Sequence, residues 1–417
     1  MTRAGLPRQE VPADTPGALL LGGLRRGALL VFVPVALAAQ AVAWLAYAIS
    51  HWYHPWSWFK IGLAYALASV RVPFVATVTG GGLGAPRAPV PLELAIGALT
   101  VAVLVLAFRA GREQARGLER RPLAAGLAGS AVGLGFALPM FVAALLVTLG
   151  FPQFGVASMH PRLWAALVLP LVVGGAAGTV GGLAVARERL VESRVAVAAD
   201  ATRGGALALW WGLVLAFVAF LVAAAVQTGA TTAYARGVQG WGGGGALLVV
   251  HHFLLLPNQS ALVLAMTTGS PVHLDLLSGR AAEATLREVT LSGDAGSFLR
   301  GLLGIRGRTI PLPGWFALFY AVPAAATVLG GRRAGVGAPA IGGRVARGVL
   351  AGVVFAILAA LSAWAASITL PVFAPLLAPS IGTALPRTFA TALAWGVVGC
   401  TVGALVPERP TGGPASS

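Results

Sequence analysis

From Ala206 to Val226 the chain reads ALALWWGLVLAFVAFLVAAAV, with no charged and no amide side chain. A helix rises about 1.5 Å per residue and the hydrocarbon layer of a bilayer is about 30 Å thick, so roughly 20 such residues make one crossing. Comparable runs lie on either side, at 27–49, 90–108, 124–149, 163–186, 313–329, 349–370 and 388–406. Together they predict an all-α fold, a polytopic transmembrane helix bundle of about eight spans.

Composition agrees. Apolar residues are 57% of the 417 and charged residues 10%, against about 45–50% and about 25% in soluble domains. So little charge cannot cover a water-facing surface. The net charge of +16 would suggest a polyanionic partner in a soluble chain, but here arginines gather in short segments between apolar runs. Arg109, Arg112, Arg116, Arg120 and Arg121 fill one segment, Arg187, Arg189, Arg194 and Arg203 a second, and Arg332, Arg333, Arg344 and Arg347 a third. Cationic loops stay on the cytoplasmic side and face anionic headgroups. The expected partners are therefore the lipid bilayer and other membrane proteins, with no nucleic acid. The expected location is the plasma (inner) membrane, with cytoplasmic tails at 1–26 and 407–417 around one transmembrane domain, 27–406. Cys400 is the single cysteine, which excludes an intrachain disulfide and a multi-cysteine metal site.

One segment disturbs the count. Residues 245–267 are long and apolar enough to cross, yet a single crossing would put the segment holding Arg332 to Arg347 outside. Parity is restored by a broken or re-entrant helix that enters and returns, and Pro257-Asn258 in its middle supplies the break. A kinked ordinary span together with one further crossing satisfies parity equally. Trp58 to Gly81, interrupted by Lys60 and Arg71, and Ser297 to Arg308 read as interfacial helices. These place two structured outer loops at 50–89 and 227–312.

Helices in lipid associate through close backbone approach, and glycine permits it. Gly174, Gly178 and Gly182, Gly129 and Gly133, Gly348 and Gly352, and Gly399 and Gly403 recur every four residues. Intramolecular packing is the expected use. Pro34, Pro139, Pro170 and Pro323 are expected to kink their spans.

Chemistry is sparse. No carboxylate falls near the middle of a span, and Glu93 comes closest, which disfavours transport coupled through membrane carboxylates. His251 and His252 are the one histidine pair in apolar surroundings, but adjacent helical residues point about 100° apart. His51 and His54 could share a helix face. The chain has no His-Glu-x-x-His, no Gly-x-Ser-x-Gly and no phosphate-binding loop. No catalytic, cofactor-binding or metal-ligating residue is assigned, and no cofactor is expected. The candidate functional element is the break itself, His251, His252, Pro257, Asn258 and Gln259.

Leu254-Leu255-Leu256-Pro257-Asn258-Gln259, followed by Gly269, resembles the streptophobe family of very hydrophobic multi-span bacterial membrane proteins. The layout is also distantly similar to PerM-type membrane proteins, and that likeness implies a role in cell division. The resemblance carries no catalytic or binding residues. Three readings follow: a non-enzymatic component of the cell envelope, a carrier or channel with its path at Pro257-Asn258, and an outer-face enzyme acting on a lipid-linked substrate.

Overall fold

The computed structural model describes residues 15–50, 54–78, 88–118, 121–151, 156–186, 194–227, 236, 239, 243–276, 279–294, 296–297, 300, 307–336, 338, 340–369 and 380–406. Helices α1 (Pro16–Arg26) and α2 (Val33–Ser50) form one rod joined by a π-helical turn, Gly27–Phe32. The rod starts at Pro16, earlier than the apolar run, because Thr15 caps it by accepting from Ala18 N at 3.3 Å and a proline fills the first turn. Then come α3 (Pro55–Ala68), β1 (Phe74–Val78), β2 (Ala88–Leu92), α4 (Gly97–Gln114), α5 (Pro122–Leu146), β3 (Leu149–Phe151), β4 (Val156–Pro161) and α6 (Leu163–Ala186).

The second half opens with α7 (Arg194–Val226), α8 (Gly243–Leu254) and α9 (Leu256–Thr268). It continues with β5 (Val272–Leu276), β6 (Gly279–Ala284), β7 (Glu288–Leu291) and β8 (Thr309–Pro311). A 3-10 turn, Gly314–Tyr320, leads into α10 (Ala321–Gly335), α11 (Ile341–Ala366), β9 (Ile368–Thr369), β10 (Ser380–Thr383) and α12 (Leu385–Leu405).

Among the described residues seven helices are long and apolar enough to cross a membrane, which marks the chain as a multi-pass helical membrane protein. Helix α4 falls outside that set because Arg109, Arg112 and Glu113 crowd its last turns, but it packs lengthwise on α5 and α6. The run expected to span from Val90 differs at its start. Pro89 and Pro91 are poor helix formers and lie instead in β2, an edge strand where missing donors cost no ladder bond. Within Trp58 to Gly81, α3 ends at Ala68 and β1 follows. Eight of its residues, from Trp58 to Ala68, are buried in the core, so α3 is packed into the protein. Most of Ser297 to Arg308 lies outside the described residues.

The strands were not expected from composition. They form two antiparallel sheets, ordered β2-β1-β4-β3 and β8-β7-β6-β5-β10-β9. The second sheet joins the loop before α10 to the loop between α11 and α12. The C-terminal part of α7 packs beside Val322 at the start of α10, while Gly204 near its other end meets Gly330 and Ala334. Helix α7 thus ends on the strand side of the bundle, where β5 also begins.

The two halves are repeats of one unit. Each runs long rod, half-length helix (α3 in the first, α9 in the second), strands, helix, helix, hairpin strand pair, helix, and the second half adds α8 before α9. The registers coincide: Met159 faces Ala76 and Leu149 in the first sheet, and Ile381 faces Leu274 and Ile368 in the second. So do the close helix contacts. A Cβ on Gly27 would strike the Val132 backbone and one on Gly205 the Ala351 backbone. Gly111 abuts Gly178 as Gly331 abuts Cys400, and Gly181 abuts Phe108 as Gly403 abuts Val328. Phe136 and Phe355 are matched and fully buried. The sequence keeps a trace of the repeat in Gly178-Thr179-Val180-Gly181-Gly182-Leu183 against Cys400-Thr401-Val402-Gly403-Ala404-Leu405. The π turn holds one residue more than the matching stretch of α7, as such bulges do. An even number of rods per unit gives both repeats the same orientation. Most of the glycine pairs read from the sequence close contacts within the chain, as expected.

Candidate functional site

The repeats meet at the strand end, where α8 packs on α2 and α4 and α9 packs on α4. Two buried polar residues, Asn258 and Arg71, link the repeats there as a knot.

Asn258 stands in the first turn of α9 and is 2% exposed. Its Oδ1 accepts from Gly97 N at 2.7 Å, and its Nδ2 donates to Ala95 O at 3.4 Å and Ala366 O at 3.3 Å. The amide therefore ties the start of α4 to the end of α11, across the repeats. Gly97 is required by proximity, since a Cβ there would overlap the Asn258 side chain. Lys60, at the matching place in α3, donates from Nζ to Thr148 O at 3.2 Å. In both repeats a donor from the half-length helix meets a carbonyl at the end of the third rod, Thr148 just past α5 and Ala366 closing α11, where the last turn leaves acceptors unfilled.

Arg71 makes the reciprocal link. Its guanidinium donates to Trp364 O and to Glu93, and its Cζ lies 4.1 Å from the centre of the Trp364 ring. Arg71 is 9% exposed, and its Nε is buried without a hydrogen-bond partner. Burial disfavours the charged guanidinium, and attraction and hydrogen bonding from Glu93 oppose that. Arg71 has φ 59° and is the one described non-glycine residue with positive φ. Gly269, its match in the second repeat, has φ 99°. Both positions need the left-handed turn that leads from helix to strand, and arginine bears steric strain there of order 1–2 kcal/mol. At the knot the repeats carry different residues, Arg71 against Gly269, Asn258 against Lys60, and Trp364 against Leu145.

The structure brings the sequence candidates near this knot. His251 Nε2 lies 2.6 Å from the Tyr65 hydroxyl, with the rings edge to face. His252 Nδ1 lies 3.1 Å from Gln259 Nε2, beside the Phe220 ring. Pro257 packs at the Gly97 contact. Gln259 Oε1 is buried without a partner. The break is one residue wide: Leu255 N still reaches His251 O, and Gln259 N reaches Leu255 O.

Other groupings do not form. Ser260 donates to Leu256 O at 2.9 Å instead of meeting His252. His54 caps α3 by accepting from Trp56 N at 3.3 Å, and His51 lies outside the described residues. Glu93 belongs to the knot, while Asp275 sits on the second sheet in a chain of ion pairs. There Asp275 is 3.4 Å from His273 and from Arg280, Arg280 is 3.3 Å from Glu283, and Glu283 is 3.8 Å from Arg387. Burial holds the His273 imidazolium below its usual range, with Asp275 opposing that shift. Among the described residues no group of three or more His, Cys, Asp or Glu could hold a metal ion.

The sequence reading missed the role of Arg71 and Trp364. A lone arginine in an apolar run just before Pro73 was the available signal, because such a charge needs a partner. No family model matches this chain, and no curated protein or solved structure matches it.

Proposed function

We propose that this multi-pass membrane protein is a non-enzymatic component of the cell envelope that works through contacts with lipid and with other membrane proteins. The strand end faces outward and the arginine-rich ends face the cytoplasm, giving eight spans with α4 included. On this reading α8 and α9 enter and return on the outer side. The observation that carries it is the saturation of Asn258. A buried amide side chain persists where protein supplies its partners, and here Ala95, Gly97 and Ala366 do. The break is a clasp between repeats and not the wall of a path. The resemblance to streptophobe-type and PerM-type proteins fits an envelope role.

The test is site-specific photocrosslinking in living cells from Arg280, Asp294 and Arg387, exposed on the outer face. A discrete adduct with one membrane protein, lost when the ion-paired face of β5 and β6 is neutralised, supports the reading. Turnover of a lipid-linked substrate by the purified chain would refute it.

The carrier reading draws on a different observation. Two like-oriented helical units packed through α8, α9 and Arg71 at one end resemble halves that could rock about that end. Saturable solute flux in proteoliposomes, altered by Asn258→Ala, would favour it over the first.

A further inference from the structure

We propose that Arg71 is a binding site for an oxyanion, the carboxylate or phosphate group of a small solute or of a lipid headgroup, which enters at the strand end and takes the place of Glu93 on the guanidinium. This inference stands whether the protein acts as a scaffold or as a carrier.

A guanidinium offers along one edge a fork of two parallel N–H donors, from Nε and Nη2, that matches the two oxygens of a carboxylate or phosphate. On Arg71 that fork is half filled. Glu93 meets Nη2 through one oxygen, Oε2, while Nε, on the same edge, is buried with no hydrogen-bond partner among the described residues. A buried donor left unfilled is a standing cost. Nη1 is already spent on Trp364 O. The guanidinium also lies over the Trp364 ring, so the plane of the fork is set before any ligand arrives.

The fold does not require an arginine here. At the matched turn Gly269 takes the left-handed conformation with no side chain, and the residue matched to Trp364 is Leu145. Arginine at φ 59° adds backbone strain instead, and strain of this kind gathers at ligand clamps. Access is through the partners. Arg71 is buried, but Glu93 and Trp364 are each partly exposed. Glu93 can turn into water at small cost, because a pair with an exposed carboxylate is weak, and its departure uncovers both donors. A second anion cannot join Glu93 on that edge, since like charges repel. Binding is therefore an exchange that keeps the buried charge paired.

Thermal unfolding of the full chain in detergent tests this, with sodium acetate or phosphate titrated against sodium chloride at equal ionic strength and fixed pH. Acetate or phosphate should raise the midpoint as a native-state ligand does, and chloride, which cannot span the fork, should not. Glu93→Gln removes the competitor, so apparent affinity should rise about fivefold. Arg71→Lys keeps the charge without the fork and should bind about tenfold more weakly. Arg287→Gln, which removes an exposed arginine of the second sheet outright, should respond like the parent. If Arg71→Lys does not purify as a monodisperse species, the tighter binding of Glu93→Gln carries the reading alone. In nanodiscs without added anion, a midpoint higher in phosphatidylglycerol than in phosphatidylcholine, and more so in Glu93→Gln, would assign the anion to a headgroup. No response to acetate, phosphate or phosphatidylglycerol, or a response that does not strengthen in Glu93→Gln, would overturn the proposal and leave the pair purely structural.

Discussion

The side-chain oxygen of Asn258 accepts the backbone N–H of Gly97 at 2.7 Å, joining the broken helix of the second repeat to the second rod of the first. Its amide nitrogen is spent on Ala95 and Ala366. Asn258→Ala therefore leaves one buried N–H and two carbonyls without a partner, at a cost of about 1–3 kcal/mol for each group left unsatisfied. A drop in thermal midpoint in detergent is the expected outcome.

Arg71 places a strained backbone and a cation–π contact in one residue. Arg71→Lys keeps charge but loses the planar fork on Trp364 and Glu93. Arg71→Gly removes the strain, as Gly269 does in the other repeat, but also removes every contact. Both variants should be less stable than the parent, with Arg71→Gly the lower of the two. Glu93 is 45% exposed, so Glu93→Gln should cost under about 1 kcal/mol. Urea or thermal unfolding of the four proteins checks the order.

Glycine contacts give a matched pair of substitutions. A Cβ on Gly129 would strike Gly178 and one on Gly348 would strike Cys400, backbone against backbone, whereas Gly17 has nothing within 4 Å. Gly129→Ala and Gly348→Ala should each destabilise by about 1–3 kcal/mol through overpacking, and Gly17→Ala should be neutral. Similar losses at both matched positions would support the repeat directly.

His273 gives the second sheet a pH dependence. Its folded-state pKa lies below the unfolded value of about 6.5. Below that pH the unfolded chain binds the proton more readily, so stability is full above about 6.5 and declines as pH falls toward the folded pKa. Thermal midpoints between pH 7.5 and 5 should fall more steeply in the parent than in His273→Gln.

The helical bundle was legible because span length and apolar content obey one simple constraint, visible in runs such as 206–226. The sheets were not, since β1 and β10 are too short for their alternation to stand out and pair with strands far away in sequence. Pro257-Asn258 pointed to a break within 245–267, and the two helices part at Leu255, with Pro257 and Asn258 in the first turn of α9; polarity alone suggested a path there. Only the positions of Ala95, Gly97 and Ala366 show that the amide is consumed. The repeat was hidden because most matched residues differ. Its clearest remnant, Gly178 to Leu183 against Cys400 to Leu405, is short and built from residues abundant throughout.

The central claim is two like-oriented repeats with every strand on one side of the membrane. Cysteine accessibility on a Cys400→Ala background tests it most directly, with probes at Ala157→Cys and Asp294→Cys on the sheets and at Arg116→Cys and Arg333→Cys on the opposite end. Impermeant reagent on intact cells should label the first two and reach the second two only after permeabilisation. Labelling of Ala157→Cys and Asp294→Cys from opposite faces would contradict the account.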